Sequence, residues 1–151
     1  AKDKPFFNEQ LARIRQAGQQ DGFEYRDCPT HADKERILSE MDVFTLPTVY
    51  EEPKGLSLLE AWATGVPAVL PAHGSFPELL EQALLVSAEP GVRYPPGDQE
   101  FRVEQLSRLL LHSEEAAELG HHGREAVEGF FNAPRMAQET AHWYHLLPEP
   151  G

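Results

Sequence analysis

Short apolar segments alternate with helical segments in the amino-terminal two thirds of this chain. Four of them have the composition of strands, and the two most apolar, VPAVLP and ALLVSA, are typical of strands that are buried on both faces. The segments between them carry apolar residues at spacings of three and four, as amphipathic helices do. Strands that alternate with helices pair in parallel through right-handed crossovers. The order therefore predicts an α/β fold, a doubly wound parallel sheet with helices on both faces.

The element boundaries follow from composition and from proline and glycine positions. The predicted strands cover residues 23–27, 42–47, 66–71 and 83–88. The predicted helices among them cover residues 5–17, 30–41, 55–65 and 75–82. Ser75 and Glu78 have the spacing of a capping box. The turn-rich segment EPGVRYPPGD predicts no element of its own. Three further amphipathic segments predict a C-terminal helical tail: EFRVEQLSRLLLH, SEEAAELGHHGREAVEGFF and PRMAQETAHWYHLL.

Charge and cysteine content narrow the function classes. The formal net charge is −12, so the surface as a whole repels polyanions, and no nucleic-acid partner is expected. Cys28 is the only cysteine, which excludes an intrachain disulfide and fits a reducing compartment. No apolar run has the length of a transmembrane helix, and the first residues lack a signal-peptide pattern. These features predict a cytoplasmic protein.

A loop with two nearby glutamates follows the second predicted strand, at the sheet edge where ligands of such folds bind. Glu52 lies in the loop, because its proline and glycine neighbours disfavour helix, and Glu60 lies about one turn inside the next helix. Carboxylates accept hydrogen bonds from vicinal hydroxyls, as on a ribose or a hexose. Free N–H groups at a helix start suit a diphosphate, and here they belong to Gly55, Leu56 and Ser57. This combination fits a nucleotide sugar.

The same residues have purely structural interpretations. Ser57 and Glu60 have the S-x-x-E spacing of a capping box, which would account for Glu60 without a ligand. The glycine at the helix start would be needed only for a close approach of helix and sheet. The other interpretation of Glu51, Glu52 and Lys54 is that they are solvated loop charges. For Glu51 this is the favoured interpretation. Sequence alone leaves these alternatives open.

Residues 42–81 resemble the carboxyl-terminal, donor-binding domain of the group 1 glycosyltransferases of the GT-B fold. That family carries two glutamates with seven residues between them, then a Gly-x-Pro element and a later element that ends in Pro-Glu. The matching residues here are Glu52 and Glu60, Gly65 and Pro67, and Gly74, Pro77 and Glu78. An E-x7-E pair alone is a weak signal, but with these elements in the family's order it is specific. The resemblance extends from about Tyr25 to the final helices.

The resemblance implies a Rossmann-like domain and a role for each matching residue. The donor sugar and diphosphate would be bound by Glu52, Lys54, Gly55, Leu56 and Ser57. Glu60 would bind the ribose, and the base would lie beside Arg26, Asp27 and Cys28. The reaction implied is transfer of a hexose-type sugar from a UDP- or GDP-linked donor to an acceptor, with retention of configuration. No metal ion, other cofactor or catalytic residue on this chain is implied.

The departures from the family pattern define what the chain is expected to be. Pro53-Lys54-Gly55 stands where the family usually has Gly-Phe-Gly, and Ser75 replaces a second glycine. The acceptor-binding domain and the first strand–helix unit of the donor domain, with its Arg and Lys for the phosphates, are absent. Residues 1–151 are therefore predicted to form a single domain, a fragment of the donor half of a two-domain enzyme, and to be inactive alone. The expected partners are the nucleotide sugar and the N-terminal acceptor domain.

Other classes of function stay open. A non-catalytic α/β module would bind a sugar nucleotide or a protein partner, and a sugar-nucleotide epimerase would use the same two-domain fold. His142 and His145 share a helix face but lack a third ligand, so no metal site is predicted. His73 is interpreted as a turn residue. The resemblance is also compatible with a parent enzyme at the inner membrane face, where transferases that build envelope polysaccharides often lie.

Overall fold

A computed structural model describes residues 4–146 of the chain. The chain divides into two compact units, one that ends at Thr30 and one that begins at His31. The prediction of a single domain over residues 1–151 stays a prediction. Within residues 4–146, no helix is both long and apolar enough to span a membrane.

Residues 4–30, the described part of the amino-terminal unit, contain one α-helix and an extended segment without a strand. Helix α1 spans Lys4–Gln16, close to the predicted boundaries, and a single 3-10 turn follows at Gln20–Gly22. The strand predicted at residues 23–27 is wrong, because this segment pairs with no strand of the described chain. Its Tyr25 ring packs edge-on against Phe7 of α1, with ring centroids 4.9 Å apart. The alternation of aromatic and polar residues here thus accompanies packing on a helix.

The second unit is a three-stranded parallel sheet with helices around it. The strands are β1 (Phe44–Thr45), β2 (Ala68–Pro71) and β3 (Gly91–Tyr94), in the spatial order β1-β2-β3. The helices that precede or connect them are α2 (His31–Ser39), α3 (Leu56–Ala63) and α4 (Phe76–Ala83). The predicted helical tail is confirmed as α5 (Gln99–Leu111), α6 (Ser113–Gly129) and α7 (Ala133–Leu146).

The central strand β2 has an apolar core on each of its faces. Ala68 and Leu70 pack into the larger core, which contains Trp62 and Phe76 from α3 and α4. Val69, between them, faces the other core, whose remaining buried members are Tyr94, Leu109 and Ala116. Because successive side chains of a strand point to opposite faces, this division confirms the doubly wound α/β fold with helices on both faces.

The third strand lies where the sequence predicted a loop. ALLVSA, predicted as a buried strand, is the end of α4 followed by hydrogen-bonded turns, and its Leu85 is 71% exposed. GVRY pairs with β2 instead, with Gly91 opposite Ala68. A side chain at Gly91 would lie 2.6 Å from the Ala68 carbonyl oxygen, so close pairing requires glycine there. Within the described residues, strand and helix therefore alternate three times, and not four.

Candidate functional site

The acidic loop between β1 and α3 is tied to the turn after β2. The Ser75 N–H donates to the Glu52 carbonyl oxygen at 2.8 Å. Gly74, with φ of +60°, lies so close that a Cβ there would be 2.6 Å from the Glu52 nitrogen. Both segments follow parallel strands, so they meet at the carboxyl edge of the sheet. Gly74 and Ser75 thus hold the backbone of Glu52 in place.

The Glu52 carboxylate bonds to its own loop. Its Oε1 accepts from the Gly55 N–H at 3.1 Å and the Lys54 N–H at 3.3 Å, and its Oε2 accepts from the Tyr50 hydroxyl at 3.2 Å. The Gly55 bond, assisted by the other two, lowers the pKa of Glu52 below its ordinary value. The hydrogen bond that the Tyr50 hydroxyl donates to Glu52 raises the pKa of Tyr50. A carboxylate offers about four lone-pair positions, so room for a ligand hydroxyl remains.

The ionisation of Glu52 is expected to contribute to stability. Because its pKa is lower in the folded chain, the contribution is fully present above the unfolded pKa and is lost as the pH falls through the folded pKa. Urea titrations at a series of pH values should show wild type more stable than Glu52→Gln at pH 7, with the difference shrinking below about pH 4. Glu51→Gln is the matched control and should change little. An unchanged difference between Glu52→Gln and wild type at pH 3 would contradict this account.

Helix α3 begins at Leu56 behind a glycine cap. Gly55 has φ of +64°, and a Cβ there would lie 2.5 Å from the Leu79 side chain and 3.1 Å from Ser75 Oγ. Glycine is therefore needed for the turn and for the approach to α4. Its N–H is taken by Glu52, so the expectation that it is free is wrong. The N–H groups of Leu56 and Ser57 have no acceptor within residues 4–146.

Neither predicted capping box forms. Ser57 lies inside α3 and not at its cap, so the structural account of Glu60 as a capping partner is wrong. Ser75 does precede α4, but its side chain makes no cap hydrogen bond, and its buried Oγ has no hydrogen-bond partner among residues 4–146. With the capping box removed, Glu60 needs another explanation.

Glu60 pairs with a lysine from the neighbouring helix. Lys34 Nζ lies 2.6 Å from Glu60 Oε1, and each side chain is about a third exposed, 36% and 35%. Both line a cavity of about 570 Å³ between α2 and α3, and His31 and Thr64 also line it. The sequence gives no local signal for Lys34, because Lys34 and Glu60 are 26 positions apart and no short-range spacing joins them.

His73 joins the loops that follow β1 and β2. Its Nε2 lies 3.1 Å from the Thr48 carbonyl oxygen, and its backbone N–H donates to the Pro71 carbonyl at 2.9 Å. The imidazole is half-buried and holds the acidic loop at its start. This agrees with the interpretation of His73 as a turn residue.

The remaining predicted site residues are exposed. Arg26, Asp27 and Cys28 belong to the amino-terminal unit, in the segment without a strand, so the position of a strand end no longer supports their place beside the base. Arg26 bonds Glu24 at 2.9 Å. Lys54 is exposed at the turn of the acidic loop. These assignments stay predictions from the resemblance, as does the expected absence of a metal ion.

Comparison with known proteins identifies the family. Residues 3–112 match the family model described as glycosyl transferases group 1. The chain therefore belongs to the group 1 glycosyltransferases, which confirms the resemblance carried by the E-x7-E pair and its flanking elements.

Two curated relatives share its sequence over part of their length. The chain is 32% identical over 119 residues to the Escherichia coli K12 protein named as the colanic acid biosynthesis glycosyltransferase WcaL, over 75% of this chain and 28% of WcaL. It is 36% identical over 90 residues to the sulfoquinovosyl transferase SQD2 of Arabidopsis thaliana, over 59% of this chain and 17% of SQD2. The matches thus span less than a third of either relative.

Two solved structures share its fold. Sucrose-phosphate synthase from Thermosynechococcus elongatus superposes with a TM-score of 0.79 at 25% identity, over 91% of this chain and 33% of that one. The C-terminal domain of the group 1 family protein LpcC from Francisella tularensis gives a TM-score of 0.70 at 19% identity, over 87% of this chain and 65% of that one. The second likeness concerns the fold alone.

Proposed function

We propose that this chain binds the nucleotide-sugar donor of a glycosyltransferase that transfers a hexose-type sugar to an acceptor with retention of configuration. One observation carries the proposal: the two family glutamates stand on either side of a single helix start at the carboxyl edge of the sheet. Glu52 bonds to the cap residue of α3, and Glu60 lies one turn inside that helix. Family membership supports the same conclusion.

Each part of the donor has a chemical counterpart in this arrangement. The last lone-pair position of the Glu52 carboxylate would accept a hydroxyl of the sugar. The N–H groups of Leu56 and Ser57, with the positive end of the α3 dipole, would bind the diphosphate of a UDP- or GDP-linked donor. Lys54, exposed beside them, would add positive charge in place of a metal ion. Glu60 would accept from the ribose hydroxyls.

Catalysis would need a second domain. Enzyme sites commonly lie in clefts between domains, and this site lies on a single sheet edge. The proposed partner is the N-terminal acceptor domain of a two-domain enzyme, without which the chain is inactive. The proposed setting is polysaccharide biosynthesis in the cytoplasm, with the parent enzyme at the inner membrane face. The name of the relative WcaL supports the polysaccharide setting.

Three Glu→Gln variants test the site by calorimetry with UDP, GDP, UDP-glucose and GDP-mannose. Glu52→Gln should lower the affinity for the nucleotide sugars by about tenfold and leave the affinity for UDP and GDP nearly unchanged, because only the sugar contacts this carboxylate. Glu60→Gln should lower the affinity for the nucleotide sugars and for the free diphosphates by about tenfold, because both kinds of compound contain the ribose. Glu51→Gln, the exposed neighbour, is the control and should bind as wild type does.

The outcomes separate the alternatives. Loss of sugar-nucleotide binding in both site variants, with an unchanged control, supports the donor site. Nucleotide binding that neither site variant weakens would place the ligand elsewhere and refute the assignment. No binding to any of the four compounds would favour a protein-docking module. Product analysis of the full-length parent distinguishes a transferase from an epimerase.

A further inference from the structure

We propose that Lys34 is a specificity residue for ribonucleotides: it holds one oxygen of Glu60 in place and donates to a hydroxyl of the ribose that the other oxygen binds. The inference rests on the proposed function, because it concerns the same nucleotide site. It adds a residue that lies outside the glutamate pair and outside every flanking element of the family pattern.

The geometry leaves one half of the pair open to a ligand. Lys34 Nζ bonds Glu60 Oε1 at 2.6 Å, the short distance typical of a charge-assisted hydrogen bond. Within residues 4–146, no other hydrogen bond reaches either side chain. An ammonium has three donors and a carboxylate about four acceptor positions. At least one lysine donor and the whole of Oε2 are therefore unused.

The unused groups match a vicinal diol. Each hydroxyl of a diol both donates and accepts, so a carboxylate alone satisfies only its O–H groups. An ammonium next to the carboxylate can donate to one of the hydroxyl oxygens. The cavity of about 570 Å³ between α2 and α3 is lined by both Lys34 and Glu60, so a ligand in it meets the two charges together.

A role in stability alone does not account for the pair. Both side chains are about a third exposed, and ion pairs at such exposure contribute little to stability. Arg108 and Glu115 form a pair of similar kind, 3.1 Å apart and 42% and 40% exposed. That pair joins α5 to α6 and does not line the cavity. It therefore provides a matched control for the removal of one cation from the chain.

The test compares UDP and GDP with their 2′-deoxy analogues by calorimetry, on wild type, Lys34→Met, Lys34→Arg and Arg108→Met. The measured quantity is the affinity for the ribonucleotide divided by the affinity for its 2′-deoxy analogue. A general effect of the lost positive charge lowers both affinities equally and cancels in this ratio. Wild type should prefer the ribonucleotide by about tenfold, since a site that bonds a hydroxyl rejects the analogue without it. Lys34→Met should reduce the ratio to about twofold. Lys34→Arg should restore most of it, and Arg108→Met should leave it unchanged.

The result that overturns the inference is a ratio in Lys34→Met equal to that of wild type, even if both affinities fall. Absence of any preference in wild type overturns it as well. Either result would leave the donor site intact if Glu52→Gln still weakens the nucleotide sugar selectively. Failure of wild type to bind any nucleotide would refute both proposals at once. A thermal unfolding scan of each variant shows whether an affinity change has an independent cause in folding.

Discussion

Replacement of Gly74 by Ala should displace the acidic loop and lower the free energy of unfolding by about 2–5 kcal/mol. Two costs combine in this substitution. Gly74 has φ of +60°, which a Cβ disfavours, and the new Cβ would lie 2.6 Å and 2.8 Å from the nitrogen and oxygen of Glu52. Those are backbone atoms, so no side-chain rotation relieves the contact. Urea denaturation followed by tryptophan fluorescence measures the loss.

Gly97 separates the two costs. It has φ of +84°, but a Cβ there would have no atom within 4 Å. Gly97→Ala should therefore cost only the conformational term, about 1–2 kcal/mol. We further expect Gly74→Ala, and not Gly97→Ala, to abolish binding of the nucleotide sugar under conditions where the variant is folded. Equal costs for the two substitutions would show that the contact with Glu52 does not hold the loop.

Replacement of Gly120 by Ala should separate α6 from the turn after α3. Gly120 is buried, and its added Cβ would collide with the carbonyl oxygen of Gly65 and approach Pro67 at 3.3 Å. One turn along the same face, Gly123 lies against the Trp62 ring, where a Cβ would be 2.5 Å from Cδ1. The small residues of α6 thus permit a close approach that a methyl group prevents. We expect a loss of about 2 kcal/mol, because the clash with a backbone oxygen costs about 3 kcal/mol and the gain in helix propensity offsets about 1 kcal/mol.

The control for this substitution lies on the same helix. Gly129 ends α6, and the nearest atom to a Cβ there would be Val86 Cβ at an ordinary 3.5 Å. Gly129→Ala should leave stability unchanged or raise it by up to about 1 kcal/mol, because alanine restricts the unfolded chain. The midpoints of thermal and urea unfolding should therefore fall for Gly120→Ala. For Gly129→Ala they should stay the same or rise. Two losses of similar size would indicate that helix packing does not decide the effect.

Elements with a strong local signal could be predicted from sequence. VPAVLP is apolar throughout and is bounded by Gly65 and by the His73–Gly74 turn, and it forms the central strand β2. The three amphipathic segments after residue 98 form α5, α6 and α7, as their apolar spacing predicts. Helix α5 buries Leu109 and α6 buries Ala116 and Ala126, whereas α7 has no buried residue. The start of α3 was placed correctly by its glycine. In β2, α5 and α6 the local preference agrees with the burial that the fold provides.

The third strand could not be predicted, because its pairing partner decides it. ALLVSA is apolar enough for a buried strand, yet Leu84 and Val86 are about half exposed, at 45% and 46%. GVRY lies between Pro90 and Pro95, residues that usually mark turns. It becomes β3 because β2 offers it hydrogen bonds from Ala68 to Pro71. Local composition contains no information about that register.

The sequence by itself determined the α/β class, the family and the position of the two glutamates at a helix start, because these depend on local composition and on residues near each other in the chain. Only the tertiary structure decided which segment completes the sheet, that Glu52 bonds to its own loop, and that Glu60 pairs with Lys34. The physical reason is the same in all three cases. Hydrogen bonds and ion pairs form between groups that the fold brings within about 3 Å, whatever their separation in sequence.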